Sequence, residues 1–126
     1  METISTTNAP SPGTGHYSQG IAHDGLVFVS GQLPLDPATG EVVGDDDIEA
    51  QTERTLRNVE AILKAAGSSL DRVLSMTIYI QGRGLWPQVN AVYARTMGAH
   101  QPARAIIPVT EIRPGCLIEI QAIAAR

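Results

Sequence analysis

QPARAIIPVTEIRPGCLIEIQAIAA, residues Gln101 to Ala125, reads as two apolar strands, Ala103–Thr110 and Cys116–Ala125, joined by a turn at Arg113-Pro114-Gly115. Each strand carries one charge in its body, Arg104 in the first and Glu119 in the second. A charge in an otherwise apolar strand costs free energy unless something satisfies it. If the strands pair antiparallel, two readings are open. Arg104 forms a structural ion pair with Glu119 or Glu111, or the two charges furnish a polar site in a dry wall.

Upstream, the pattern alternates between strand and helix. Residues 1–15 hold Pro10, Pro12, Gly13 and Gly15 and read as an extended, partly mobile arm. His16–His23 reads as a short edge strand or an ordered loop. Asp24-Gly25 is a two-residue hairpin signal, and the β-branched run Leu26–Ser30 follows. Gly31 permits close backbone approach, and Leu33–Gly40 is turn chemistry. The clearest helix follows Asp45–Asp47: Ile48, Thr52, Leu56, Val59, Leu63 and Ala66 form one apolar stripe, and Gly67 is the stop. Glu53/Arg57 and Glu60/Lys64, each four apart with the acid first, suit a solvated outer face.

Arg72–Gln81 alternates as a strand, with Leu74, Met76, Ile78 and Ile80 on one side. Leu85–Met97 is a second helix, with Pro87 tolerated in its first turn. The order is ββαβαββ, an α+β domain spanning residues 1–126.

Two helices cover one face of such a sheet. The other face is not polar, since Ile106, Leu117 and Ile123 fall on the side opposite Ile118 and Ile120 if alternation holds. Another copy of the chain is the expected cover. Arg104 shares parity with Ile106, and Glu119 with Leu117. If those faces coincide, both charges look into a cleft between copies.

Composition narrows the function classes. Hydrophobic residues make up 43% and charged residues 17%, as in soluble globular proteins, and one Trp, three Tyr and one Phe leave the core aliphatic. A net charge of −4 and a pI near 5.2 argue against a nucleic acid held through its phosphates. There is no signal-peptide pattern and no membrane-length apolar run, and one cysteine, Cys116, suits a reducing cytoplasm.

Among candidate groups, Arg104 is a planar fork suited to a carboxylate. Glu119 could orient a water or move a proton, because partial burial raises a carboxylate's pKa. Tyr17 could donate a hydrogen bond near such a site. His16, His23 and His100 lack metal-ligand spacing, so no metal is expected.

These residues also carry a resemblance. Tyr17-Ser18-Gln19-Gly20, Ser30-Gly31-Gln32, Asp36-Pro37 through Thr39-Gly40-Glu41, Gln51-Thr52 with Asn58-Val59, and Val89-Asn90-Ala91 match the RidA (YjgF/YER057c/UK114) family. So do Pro102-Ala103-Arg104, Ile118-Glu119-Ile120 and Ala122-Ile123-Ala124, so the match covers nearly the whole chain. The resemblance implies a chorismate-mutase-like fold assembled as a homotrimer, with clefts between subunits. It also implies cofactor-independent hydrolysis of imines and enamines derived from amino acids, such as 2-aminoacrylate, to a 2-oxo acid and ammonia. Arg104 would clamp the substrate carboxylate and Glu119 would position the attacking water. Tyr17 would close the cleft, Gly31 and the main chain near Ile106 would line it, and Asn90 would help hold it. Two positions depart from the family pattern: Ile106 stands where a cysteine is usual, and His16 where a proline is. These departures bear on the substrate, leaving open a pathway-specific relative that acts on a larger imine or enamine. A non-catalytic trimer binding small carboxylates, and the ribonuclease activity associated with some relatives, are the other readings. The acidic pI weighs against the last.

Overall fold

Helix α1, Ile48–Ala65, begins and ends where its sequence signals it. A computed structural model describes all 126 residues. In it, the Asp47 carboxylate accepts from the amides of Glu49 and Ala50, both at 3.1 Å, which satisfies two of the otherwise orphaned first-turn donors. At the other end Gly67 adopts φ +80°. The Ser68 amide then donates to Leu63 and the Gly67 amide to Lys64, a Schellman stop that a side chain at 67 would strain. All six residues of the expected stripe are buried. On the outer face Arg57 turns toward Glu60 (2.9 Å), which also meets Lys64 (3.2 Å), so the expected Glu53/Arg57 pair does not form.

Strands β1 (Glu2–Ile4), β2 (Gly20–His23), β3 (Leu26–Gln32), β4 (Val73–Gln81), β5 (Ala103–Val109) and β6 (Ile118–Ala125) make one sheet in the order β1-β2-β3-β6-β4-β5. Helix α2, Trp86–Met97, joins β4 to β5. Asp24 and Gly25, with φ of 49° and 77°, form the β2–β3 hairpin turn, as their dipeptide signals. The last two strands depart from the expected pairing. β5 lies parallel to β4 at the sheet edge, and β6 runs antiparallel between β3 and β4. The cause is the crossover. A strand that follows its predecessor through a helix returns parallel to it, and residues 110–117 then carry the chain past the end of β4. The Arg113–Gly115 turn is present, with the Cys116 amide on the Arg113 carbonyl, but it links strands that are not neighbours.

That pairing decides which residues face the helices. Val27, Val29, Met76, Ile78, Ile80, Ile118 and Ile120 form the core with Leu56, Val59, Ile62 and Leu63 of α1 and Val89 of α2. A bulge between Val73 and Ser75 shifts the alternation of β4, so Val73 is buried and Leu74, expected inside, is 49% exposed. In the parallel register Arg104 sits opposite Met76 and Ile106 opposite Ile78. Ile106 and Leu117, expected on the outer face, therefore pack against the core instead. The outer face is still apolar, with Phe28, Ile107 and Ile123 each more than a third exposed.

The N-terminal arm is docked, not free. Glu2–Ile4 pairs antiparallel with β2, which puts β1 at the edge in place of β2, and Ile4 and Ala9 are buried. The buried Gln19 side chain accepts from the Thr6 amide (2.7 Å) and turns its Nε2 toward the carbonyls of Thr6, Ala9 and Pro10. Irregular chain laid against a core leaves backbone groups that must find partners. Buried amides do this job three times. Gln51 takes the Gly44 and Gly115 carbonyls and the Leu117 amide. Asn58 takes the carbonyls of Leu33 and Leu35. No helix is long and apolar enough to cross a membrane.

Candidate functional site

Arg104 lies near the start of edge strand β5, on the helix side, beneath α2. Its Nη1 donates to Asn90 Oδ1 at 2.8 Å. Its guanidinium carbon stands 4.8 Å from the Tyr93 ring centroid and 5.8 Å from that of Trp86. Trp86, Asn90 and Tyr93 follow one another at four- and three-residue spacing on α2, so a single helix face supplies all three contacts. No carboxylate lies within ion-pair distance of Arg104, which removes the structural pair with Glu119 or Glu111. Beside the guanidinium is a cavity of about 440 Å³, bordered by Tyr93, Met97, His100 and Pro102. Tyr93 is nearly buried, its hydroxyl has no hydrogen-bond partner, and burial pushes its pKa up against the opposing pull of Arg104.

Glu119 lies on the other face, opposite Tyr79 at the centre of the sheet. Burial raises its carboxyl pKa, and no hydrogen bond or cation compensates. Between Val29 and Gln32 the β3–β6 register slips by one residue. At this bulge Gly31 lies against Glu119, so close that a Cβ there would land on the Glu119 Oε1. The backbone of Gly31 lies outside the left-handed region, so a side chain there would act by pushing the Glu119 carboxylate aside. Ser30, its neighbour, holds the loop bearing Tyr17: its Oγ donates to the Ser18 carbonyl at 2.6 Å and its amide to the Gln19 carbonyl at 3.0 Å. Tyr17 itself is 52% exposed.

The six candidate residues thus fall into two groups. Asn90, Arg104 and Ile106 belong to the helix side of the β5 edge, while Gly31, Glu119 and the Tyr17 loop belong to the open face. The expectation that both charges share a face fails, because Arg104 aligns with inward-facing Met76 and Glu119 with outward-facing Tyr79. One chain alone does not place them in one cleft. Ile106 spends its side chain on the core, which leaves the backbone of the unpaired β5 edge as its contribution to any pocket. Sequence reasoning missed Trp86 and Tyr93, although the Trp86/Asn90/Tyr93 spacing was there to be read as one helix face. It also treated Gln19, Gln51 and Asn58 only as matching letters, where burial shows them to be clamps on the backbone.

A small α+β sheet with an unpaired guanidinium at its edge and an unpaired carboxylate on its bare face matches known proteins over its full length. The Endoribonuclease L-PSP family model matches residues 6–126. A RutC family protein of Pyrococcus horikoshii is 45% identical, with 98% of this chain and 96% of the relative covered. RidA from an Antarctic Psychrobacter superposes with a TM-score of 0.94 at 32% identity, covering 100% of each chain. Escherichia coli TdcF, solved with bound serine, superposes at 0.92 with 35% identity, covering 100% of this chain and 99% of that one. The chain belongs to this family, the one that contains the Rid proteins and that its sequence resembles.

Proposed function

We propose that this protein hydrolyses reactive imines and enamines derived from amino acids, such as 2-aminoacrylate or 2-iminopropanoate, in clefts formed where copies of the chain meet. The single observation that carries this is the pair of uncompensated charges: Arg104, oriented by Asn90 with no acid beside it, and Glu119, half-buried with its pKa raised. Because they occupy opposite faces, a working cleft takes Arg104 from one copy and Glu119, Gly31 and Tyr17 from its neighbour. A homotrimer, as the family resemblance implies, closes three such clefts, and the apolar outer face supplies the surface to bury. Serine in the TdcF structure is a small carboxylate of the right class.

In this scheme the free edge of the Arg104 guanidinium takes the substrate carboxylate. An enamine first tautomerises to its imine. With the imine nitrogen protonated, Glu119, as carboxylate, accepts a proton from the water that attacks the imine carbon, giving a neutral carbinolamine. It returns that proton to the nitrogen, and as the C–N bond breaks the carbinol hydroxyl gives its proton back to Glu119, leaving a 2-oxo acid and ammonia, which carries the proton away as ammonium. Water is the only co-reactant. Imine hydrolysis is intrinsically easy, so holding substrate and water together suffices. The test is ammonia release while an amino-acid oxidase or a serine/threonine dehydratase generates the imine. Arg104→Ala, folded and assembled, should lose the acceleration; unchanged activity in that variant removes the clamp.

A second reading, a non-catalytic module for small carboxylates, is favoured by the completeness of the Arg104 half-site within one chain. It requires no turnover and an affinity indifferent to Glu119→Gln. Ribonuclease action, which the family description names, needs phosphate contacts that an acidic chain is ill suited to give. RNA binding that weakens steeply as salt rises would argue for it.

A further inference from the structure

Arg104 poses a problem of aim. It projects from an edge strand, is exposed, and has no acid to hold it. A free arginine side chain spreads over many rotamers, and ordering it on binding weakens the ligand's hold. The one hydrogen bond to Asn90 fixes a single Nη and leaves the plane of the guanidinium free to turn about that contact. The remaining neighbours are two rings from the same helix face, Tyr93 at 4.8 Å and Trp86 at 5.8 Å, both within the range where a ring's electron-rich face attracts a cation.

We infer that Trp86 and Tyr93 form an aromatic seat that fixes the plane of the Arg104 guanidinium and, with Asn90, points its free edge at the substrate carboxylate. The inference rests on the deaminase reading, in which Arg104 is the carboxylate clamp. Trp86 and Tyr93 are positioning residues: they touch the arginine, not the reacting atoms. The rings do the work. The Tyr93 hydroxyl is buried without a partner inside the chain, so it contributes nothing to the seat. Trp86, by contrast, is 42% exposed, so core packing does not fix its place and the contact with Arg104 is one it is free to make. The seat also explains how Arg104 stays available: a ring holds a cation without occupying its hydrogen-bond donors, whereas an acid would consume the fork meant for the ligand.

The test compares 2-oxobutanoate, the product class, with its neutral amide, each titrated calorimetrically into the assembled protein. Trp86→Leu should weaken the acid roughly 3- to 30-fold while leaving the amide nearly unchanged, so that the acid-to-amide ratio collapses. A general distortion of the cleft weakens both ligands together and leaves the ratio intact. Trp86→Phe and Tyr93→Phe, which keep a ring, should restore most of the discrimination, and in turnover Trp86→Leu should raise KM more than it lowers kcat. Trp86 is exposed, so its replacement folds even if Tyr93→Leu does not. If Arg104→Ala abolishes the preference for the acid but Trp86→Leu keeps it, the seat is overturned and the clamp stands. If wild type and Arg104→Ala bind the acid equally, the clamp and the seat fall together.

Discussion

The placement of Arg104 and Glu119 on opposite faces can be tested by mixing two dead proteins. Arg104→Ala and Glu119→Gln should each be inactive as pure assemblies, because every cleft lacks one of its two charges. Co-refolded in equal amounts, the chains assort at random among copies. A cleft is intact when its arginine comes from a Glu119→Gln chain and its glutamate from an Arg104→Ala chain. Each condition holds for about half the chains, so about 25% of wild-type activity should return. The fraction is the same for a dimer or a ring, because each cleft samples two neighbouring chains whatever the closure. If instead one chain supplied both charges to its own cleft, every cleft would keep a defect and mixing would restore nothing. The assay is ammonia release from an enzymatically generated imino acid, with light scattering to confirm that the mixed species matches wild type in mass. Activity at background in a correctly assembled mixture would falsify the shared-cleft geometry. A return far above a quarter would show that one of the single variants was never dead.

The same geometry sets three further outcomes. Gly31→Ala should fold almost normally, since the backbone there lies outside the left-handed region, yet displace the Glu119 carboxylate. A displacement of about 1 Å can cost roughly 100-fold in rate, so kcat should fall while the thermal melt barely moves. Near-wild-type turnover would mean that Glu119 is not where chemistry happens. In the dissociated chain, before any neighbour supplies an arginine, Glu119→Gln should melt higher than wild type at neutral pH. The folded carboxyl pKa is raised by burial, so ionisation costs stability as pH climbs from the ordinary value of about 4.3 through the raised one. The difference should vanish below that window, and a lower melt at neutral pH would contradict it. Gln51→Ala strands the Gly44 and Gly115 carbonyls and the Leu117 amide and should cost about 2–3 kcal/mol in a denaturant melt, where a change under about 0.5 kcal/mol would mean that water replaces the amide.

Local chemistry was legible in the sequence, and pairing across the sheet was not. The α1 cap, stripe and stop, and the Asp24-Gly25 turn, each depend on residues within a few positions of one another. Whether β6 pairs with β5 or slides between β3 and β4 depends on a crossover that local patterning does not encode. One inserted strand was enough to move Arg104 and Ile106 to the helix side. Bulges act in the same way on a smaller scale. A single extra residue at Leu74 reverses the alternation, and another at Ser30-Gly31 brings a glycine under a carboxylate. The buried amides were invisible for a different reason: Gln19, Gln51 and Asn58 are polar letters whose burial follows from loops folding over them, which only the assembled structure reveals. The resemblance to a family picked out Arg104 and Glu119 as letters but could not say which faces they occupy.

Separating the two charges within the chain has an electrostatic consequence for the proposed cleft. Each charge alone is only partly desolvated, and on assembly each becomes the other's compensation. In a cleft of low effective dielectric their attraction favours docking with both groups ionised. A bound carboxylate then neutralises the guanidinium and leaves Glu119 beside a second negative charge. That shift raises the Glu119 pKa relative to the empty cleft, restoring the rise that burial imposes in the single chain. The group therefore holds a proton more readily when substrate is present than when the cleft is empty, which is when a proton is needed for departing ammonia. An aspartate or glutamate placed beside Arg104 in its own chain would quench this response by pairing with the guanidinium permanently. Keeping the acid on the far face, to be delivered by a neighbour, avoids that pairing until the cleft is built around space for a substrate.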